Sequence, residues 1–214
     1  MITILGRATS SNVQLVMWAI GELGLEHTRR DYGHVHGGLD TDEYLAMNPH
    51  GKIPVLQDDD LVIWESAAIL RYLCASHADD SLWPKEPRAR ALVDMWAEWG
   101  KNELCNAFTV PIFWPRVRTA AVVRDDAALD QAVARFNGYM ARLDQQLTGK
   151  TFVSGEVFTA ADIVIGHLLY RWFTIDVARD PHPQVEAYYA RLSERPAYRE
   201  HVMVSYDSLW AEGA

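Results

Sequence analysis

The chain has few of the features that point to metal, nucleic-acid or membrane binding. Its 214 residues include only two cysteines, Cys74 and Cys105, which form neither a CxxC pair nor a Cys/His zinc pattern. The net charge is −9 and no Lys/Arg cluster stands out, so we expect neither nucleic acid nor an anionic membrane as a partner. No apolar run approaches the roughly eighteen residues of a membrane span, and the N-terminus lacks a signal-peptide pattern. These absences predict a cytoplasmic protein that binds no metal.

What the chain does have is apolar residues, 49% of the total, with eight tryptophans, which together predict a well-buried globular protein. The first third predicts a strand at 2–5, a helix at 13–23, a strand at 25–31 and a short helix at 40–47. A hairpin and another helix follow. This βαβαββα order requires a parallel first crossover and is the thioredoxin-like arrangement.

The hairpin stretch also suggests a binding site. Pro54 cannot donate to a sheet ladder, so it should begin its strand, where the Ile53–Pro54 bond is a candidate for the cis form. The backbone of Ile53 would then be free to bind an extended peptide. Ser66 stands where the N-cap of the next helix belongs, with Glu65 beside it. They could bind the carboxylate and amine of a small peptide, or serve only to start the helix.

This stretch carries a resemblance to a known family. Residues 48–56 read NPHGKIPVL and residues 65–73 read ESAAILRYL, and the combination resembles the glutathione-binding half of the cytosolic glutathione S-transferases. The resemblance implies that the residue before a cis-proline, Ile53, bonds the cysteinyl backbone of glutathione, and that Glu65 and Ser66 hold its γ-glutamyl end. It also places His50 and Lys52 beside the glutathione groove.

The second half of the chain reads as helical throughout. Residues 77–87 resemble a linker, and the predicted long helices span 88–108 and 126–147. Thr159 and Asp162 form a variant capping box before an apolar helix, which resembles the box that starts the central helix in the same family. We therefore predict an α/β plus all-α fold: a thioredoxin-like domain at 1–80 and an all-helical domain at 88–214.

The loop after the first strand offers groups that can activate a thiol. A free thiol has a pKa of about 8.5, and lowering it by two units requires about 2.7 kcal/mol of preference for the thiolate. A hydroxyl donor and a helix N-terminus can supply that amount. Ser10 is our candidate donor, because its spacing to Gly24 matches the serine-type members of the family. The neighbours Thr9, Ser11 and Asn12 stay open, since some bacterial relatives use Thr or Asn.

One departure from the family and one alternative role bear on this choice. Serine-type members often carry an arginine a few residues after the serine, where this chain has Gln14 and Leu15. A simpler interpretation is that Ser10 or Ser11 only caps the first helix.

A second substrate should bind in an apolar cleft between the domains. Arg116 and Arg118 could recognise an acidic electrophile there, or lie solvated on the surface. The aromatic candidates for contacting the substrate are Phe108, Phe113, Trp114, Tyr206 and Trp210.

The resemblance therefore implies a glutathione transferase, a homodimer acting in detoxification, with glutathione as co-substrate and a small hydrophobic electrophile as its target. Two alternatives remain. One is a glutathione-dependent isomerase or a disulfide or peroxide reductase. The other is a non-catalytic module of the same fold that serves protein contacts.

Overall fold

A computed structural model of the protein describes residues 1–213 and bears out the predicted fold class. The elements of the first part are β1 Ile2–Leu5, α1 Ser11–Glu22, β2 His27–Arg30, α2 Asp42–Met47, β3 Val55–Asp58, β4 Leu61–Trp64 and α3 Ser66–His77. Strand β1 is parallel to β2 and antiparallel to β3, which pairs with β4, so the strand order is β2-β1-β3-β4. The thioredoxin-like arrangement is confirmed.

The second part is helical, as predicted. Its helices are α4 Pro87–Trp99, α5 Cys105–Phe108, α6 Trp114–Arg118, α7 Asp126–Leu147, α8 Ala160–Gly166, α9 Leu169–Thr174, α10 Pro183–Ser193 and α11 Pro196–His201. Within residues 1–213, none of the helices combines the length and the apolar character that crossing a membrane requires. The domain limits 1–80 and 88–214 stay a prediction, and the second range ends at Ala214, outside the described residues.

The predicted end of the first long helix at Phe108 is wrong. Helices α4, α5 and α6 form one continuous helix, joined by two π-helical segments at Gly100–Leu104 and Thr109–Phe113. Pro111 explains the second segment, because it has no N–H to donate to the preceding turn and a widened turn accommodates its ring. The helix therefore runs ten residues beyond the predicted end.

The capping box at the start of α8 is present. Asp162 is fully buried, and its carboxylate accepts hydrogen bonds from the Thr159 N–H at 2.8 Å, the Val153 N–H at 2.9 Å and the Tyr188 hydroxyl at 2.8 Å. At the other end of α8, a Cβ on Gly166 would lie 2.6 Å from the Leu192 side chain. Gly166 therefore allows α8 to pack closely against α10.

Helix α1 connects the two parts of the molecule. It packs against α3 on the sheet side and against α8 and α11 on the helical side. All of its residues from Val13 to Ile20 are buried. This central placement directs the N-terminal end of α1 toward the opening between the two parts.

Candidate functional site

A cavity of about 470 Å³ lies between the sheet part and the long helix, and we call it the cleft. One wall comes from the first part of the chain: Ser11, Asn12, Leu39, Gly51, Lys52 and Ile53. The other wall comes from the helical part: Lys101, Cys105, Asn106, Thr109, Val110, Trp114 and His167. The cleft thus joins the predicted glutathione groove to the helix predicted to contact the second substrate.

The start of α1 opens into the cleft without a side-chain cap. Ser10 is the N-cap residue and is 9% exposed, but its hydroxyl makes no capping bond. Ser10 thus occupies the N-cap position without making the side-chain capping bond that the simpler interpretation implies. The N–H groups of Ser11, Asn12 and Val13 have no hydrogen-bond acceptor in residues 1–213. A helix start with free N–H groups and a free hydroxyl favours an anion.

The backbone before Pro54 is free to bind a peptide. The Ile53–Pro54 peptide bond is cis, and the ladder of β3 begins only at Val55. No backbone hydrogen bond in the described chain uses the N–H or C=O of Ile53. Ile53 itself is one of the residues that line the cleft. Lys52 also lines it, whereas His50 packs edge-on against Trp64 at 4.8 Å and lies outside the lining. The free backbone matches the role that the resemblance gives to Ile53.

Ser66 is not the N-cap of α3, contrary to the prediction. The N-cap is Glu65, whose φ of 72° ends the preceding strand abruptly, and Ser66 is the first helical residue. The Ser66 hydroxyl turns away from the helix and lies 3.3 Å from Asn12 Oδ1. Glu65 is exposed and its side chain makes no capping bond. The Glu65 side chain is thus left available for a ligand, whereas the Ser66 hydroxyl is turned toward Asn12.

A lysine from the helical part bonds both Asn12 and Ser66. Lys101 Nζ donates to Asn12 Oδ1 at 2.7 Å and to Ser66 Oγ at 2.9 Å, and it makes no ion pair with any carboxylate in residues 1–213. Because Asn12 Oδ1 accepts these bonds, its amide NH₂ is left as a donor. The Asn12–Ser66–Lys101 group therefore presents a cation and spare donors to the cleft.

The π segment explains how Lys101 reaches that position. Gly100 packs against α8 so closely that a Cβ there would lie 2.7 Å from Ile165. The widened turn that begins at Gly100 rotates the next residues relative to a regular helix. Sequence reasoning missed Lys101, because the only local signal is a glycine inside a helical pattern.

Cys105 and His167 form the floor of the cleft. Cys105 Sγ lies 3.9 Å from His167 Nε2, and His167 Nδ1 bonds the Val164 carbonyl at 2.7 Å. Burial raises the pKa of the Cys105 thiol to about 11 and lowers the pKa of His167 to about 3. Both groups are therefore neutral at pH 7, and Cys105 lacks the thiolate that a reductase would use.

The predicted aromatic set divides between the core and the cleft. Phe108 and Phe113 are almost completely buried and pack against each other. Phe108 also packs against Phe136 and Trp172. Neither Phe108 nor Phe113 is among the residues that line the cleft. Trp114, 44% exposed, is the one member of the set among the residues that line it. The other two residues, Tyr206 and Trp210, belong to the C-terminal segment that packs beside α6 and α9. The core placement of Phe108 and Phe113 follows from the helix continuing past them.

Arg171 of α9 reaches the loop that precedes α1. Its guanidinium donates to the Thr9 carbonyl at 2.7 Å and lies 3.3 Å from Gln14 Oε1, beside the face of Phe113. Burial lowers the pKa of Arg171 to about 10, which still leaves it charged at pH 7. An arginine therefore does stand beside this loop, but it comes from another helix. An Arg between Tyr170 and Trp172 in an apolar helix was the signal that could have predicted it.

Comparisons with known proteins place the chain beside enzymes of one family. Family models described as "Glutathione S-transferase, N-terminal domain" and "Glutathione S-transferase, C-terminal domain" match residues 5–81 and 126–191. Glutathione S-transferase GstB of Escherichia coli (strain K12) is 37% identical over 206 residues, which cover 95% of this chain and 99% of that protein.

Two solved structures extend the comparison to the fold. The glutathione-bound theta class glutathione S-transferase from the citrus canker pathogen Xanthomonas axonopodis pv. citri is 41% identical, with a TM-score of 0.91. The match covers 95% of this chain and 98% of that one. The glutathione transferase BmGSTD1 of Bombyx mori is 28% identical, with a TM-score of 0.86 and coverage of 97% and 95%.

Proposed function

This chain belongs to the glutathione S-transferase family and is a glutathione transferase, and we propose that it activates the thiol of glutathione at the uncapped start of α1. The observation that carries the proposal is the free Ser10 hydroxyl beside three N–H groups without acceptors. Helix dipole and hydroxyl both favour the thiolate over the thiol. Serine is far less acidic than a thiol, so Ser10 acts as a hydrogen-bond donor to the sulfur.

Glutathione lies in the cleft with its backbone against Ile53. Its cysteinyl N–H and C=O pair with the free main chain of Ile53, in the manner of an added strand. Its γ-glutamyl end meets Ser66 and Glu65, where a carboxylate and an ammonium find complementary groups. Lys101, which bonds Ser66 Oγ, adds a positive charge on the carboxylate side of this end. Lys52 and His50 flank the opposite end.

Asn12 provides a second donor near the sulfur. Its Oδ1 accepts a hydrogen bond from Lys101, which leaves its NH₂ as a donor. Ser11 lines the cleft next to it. Neither Thr9 nor Ser10 is among the residues that line the cleft. Thr9 is less suited than Ser10, because Ser10 is the N-cap residue of α1 whereas Thr9 precedes it and its carbonyl is bonded to Arg171. The proposed order of donors is Ser10, then Asn12 and Ser11.

The electrophile binds on the helical side of the cleft. Val110, Trp114 and Leu39 give that side an apolar surface that suits a small hydrophobic molecule. The thiolate attacks the electrophilic carbon, a sulfur–carbon bond forms, and the leaving group departs with its electron pair. The homodimer, the role in detoxification and the cytoplasmic location implied by the resemblance belong to the same proposal.

Kinetics of two serine variants test this assignment. Ser66→Ala removes a group that binds glutathione, so its KM for glutathione should rise about tenfold with little change in kcat. Ser10→Ala removes a donor to the thiolate, so kcat should fall about tenfold or more while KM for glutathione stays within about twofold. Equal losses of glutathione affinity in both variants would refute the division of roles.

A further inference from the structure

Three arginines lie at the loop before α1 or at the helical wall of the cleft, and we call them the arginine cluster: Arg7, Arg118 and Arg171. Arg7 follows β1, Arg118 ends α6, and Arg171 lies in α9. Burial lowers the pKa of Arg7, and repulsion from Arg118 lowers it further. Burial also lowers the pKa of Arg171, followed by repulsion from Arg7 and then from Arg118.

The arginine cluster has no acidic partner. In residues 1–213, no carboxylate lies within 4.0 Å of any of the three guanidinium groups. Arg171 is only 4% exposed, and its Nε has no hydrogen-bond partner; the buried Nε of Arg7 has none either. Buried cations are normally paired, because an unpaired one loses its hydration without compensation.

Burial, rather than the missing partner alone, sets Arg171 apart. Most arginines in residues 1–213 make no ion pair, but Arg171 is the one that is buried. Arg116, two residues before Arg118, is paired: its guanidinium bonds the Asp176 carbonyl at 2.8 Å and the Asp176 carboxylate at 3.2 Å. The charges of Arg171 and of its neighbours Arg7 and Arg118 are therefore not neutralised by a carboxylate of residues 1–213.

Their position identifies the end of the cleft that the anion reaches. Arg118 lies over the ring of Trp114 at 5.2 Å, and Trp114 lines the cleft on its helical side. Arg171 holds the Thr9 carbonyl, one residue before Ser10. Arg118 thus lies beside the proposed electrophile surface, and Arg171 lies beside the loop that carries the proposed donor to the sulfur.

We propose that the electrophile of this enzyme carries an anionic group, a carboxylate in the simplest case, which the arginine cluster binds. This inference rests on the proposed function and narrows its substrate class to small apolar electrophiles with one anionic group. Guanidinium groups bind carboxylates through paired, charge-assisted hydrogen bonds. The two carboxylates of glutathione are assigned to other groups, Ser66 with Lys101 and the Lys52 side.

A matched pair of electrophiles tests the proposal. Chlorodinitrobenzoate and chlorodinitrobenzamide, with the carboxylate or amide para to the chlorine, differ in charge but react by the same step. The glutathione sulfur bonds to the ring carbon, chloride leaves with the bonding electrons, and the thiol proton goes to solvent. The measured quantity is the acid-to-amide ratio of kcat/KM, divided by the same ratio for free glutathione without enzyme.

The expected ratio is above one for the wild type and falls about tenfold in Arg118→Gln and in Arg7→Gln, because each loses a charged hydrogen bond to the acid. Arg116→Gln is the matched control and should keep the wild-type ratio, since Arg116 is paired with Asp176. Unchanged ratios in Arg118→Gln and Arg7→Gln would overturn the proposal. So would a rise in the KM for glutathione in these variants without a change in ratio, which would assign the cluster to glutathione.

A binding measurement separates this proposal from thiol activation. Calorimetric titration of the enzyme saturated with S-methylglutathione uses dinitrobenzoate and dinitrobenzamide, which lack the leaving group and do not react. Tighter binding of the acid, lost in Arg118→Gln, would support the anion site even if turnover failed. Equal binding of both compounds to the wild type would refute it, whatever the thiol chemistry shows.

Discussion

Two helix starts in this molecule differ in how their polar groups are used. At α8, Thr159 and Asp162 occupy the capping positions, and the Asp162 carboxylate is bonded to two backbone N–H groups and a tyrosine hydroxyl. At α1, Ser10 occupies the N-cap position, but its hydroxyl makes no capping bond and three N–H groups lack acceptors. One start is closed by the protein, and the other is left open at the cleft.

The difference shows how to separate a stabilising motif from a functional one. A cap whose bonds are all made within the chain contributes to folding, whereas a cap whose donors point into a cavity contributes little stability and can bind a ligand. A Ser or Thr at an N-cap position has the same sequence signature in both cases. The environment of the donors decides which role it has.

The largest loss of stability should come from removing the capping box at the start of α8. Asp162→Ala would leave the N–H groups of Val153 and Thr159 and the hydroxyl of Tyr188 buried without an acceptor. We expect the free energy of unfolding to fall by about 3 kcal/mol or more in urea unfolding experiments. Ser10→Ala is the matched control at the start of α1 and should change the free energy of unfolding by less than about 0.5 kcal/mol. Similar losses in both variants would contradict the comparison.

His167, at the C-terminal end of α8, should make the stability of the protein depend on pH. Burial lowers the pKa of His167 from 6.5 to about 3, so the unfolded chain binds a proton below pH 6.5 that the folded chain does not. The free energy of unfolding should therefore fall as the pH drops from 6.5 toward 3, and His167 should contribute about 1.4 kcal/mol per pH unit to that fall. In His167→Asn, which keeps a donor for the Val164 carbonyl, the free energy of unfolding should depend less steeply on pH, by about 1.4 kcal/mol per pH unit. An unchanged slope would show that His167 is not kept neutral by the fold.

The smallest effect should come from the thiol on the cleft floor. With a pKa raised to about 11 by burial, the Cys105 thiol is only about one part in ten thousand thiolate at pH 7. Cys105→Ala should therefore leave kcat/KM for conjugation within about twofold of the wild type. Loss of most activity would favour the reductase alternative, in which a protein cysteine carries the chemistry.

The parts of the site that the sequence predicted are those whose members are close along the chain. Ser10 to Asn12, Ile53–Pro54 and Glu65–Ser66 each form a short pattern. Within residues 1–213, each contributes a group without a partner: the first N–H groups of α1, the Ile53 backbone and the Glu65 side chain. Lys101 and Arg171 lie 89 and 162 residues from the atoms they bond. No local pattern encodes such contacts, because the packing of α8 against Gly100 and of α9 against the α1 loop creates them.

The predicted end of the long helix was wrong for a related reason. The helix that begins at Pro87 was expected to end near Phe108, since Pro111 and Pro115 normally stop a helix. Packing of Phe108, Phe113 and Val117 in the core holds the chain helical beyond the prolines, with a π segment where Pro111 lacks a donor. Tertiary burial outweighed local propensity there.

The most direct test of the open start is the pKa of the glutathione thiol when it is bound. Titration of the ultraviolet absorbance of the thiolate should give a bound pKa about two units below the free value of about 8.5. Ser10→Ala should raise the bound pKa by about one unit, whereas Arg116→Gln, away from the sulfur, should not. A bound thiol with the free pKa, or one that Ser10→Ala leaves unchanged, would contradict thiol activation at the start of α1.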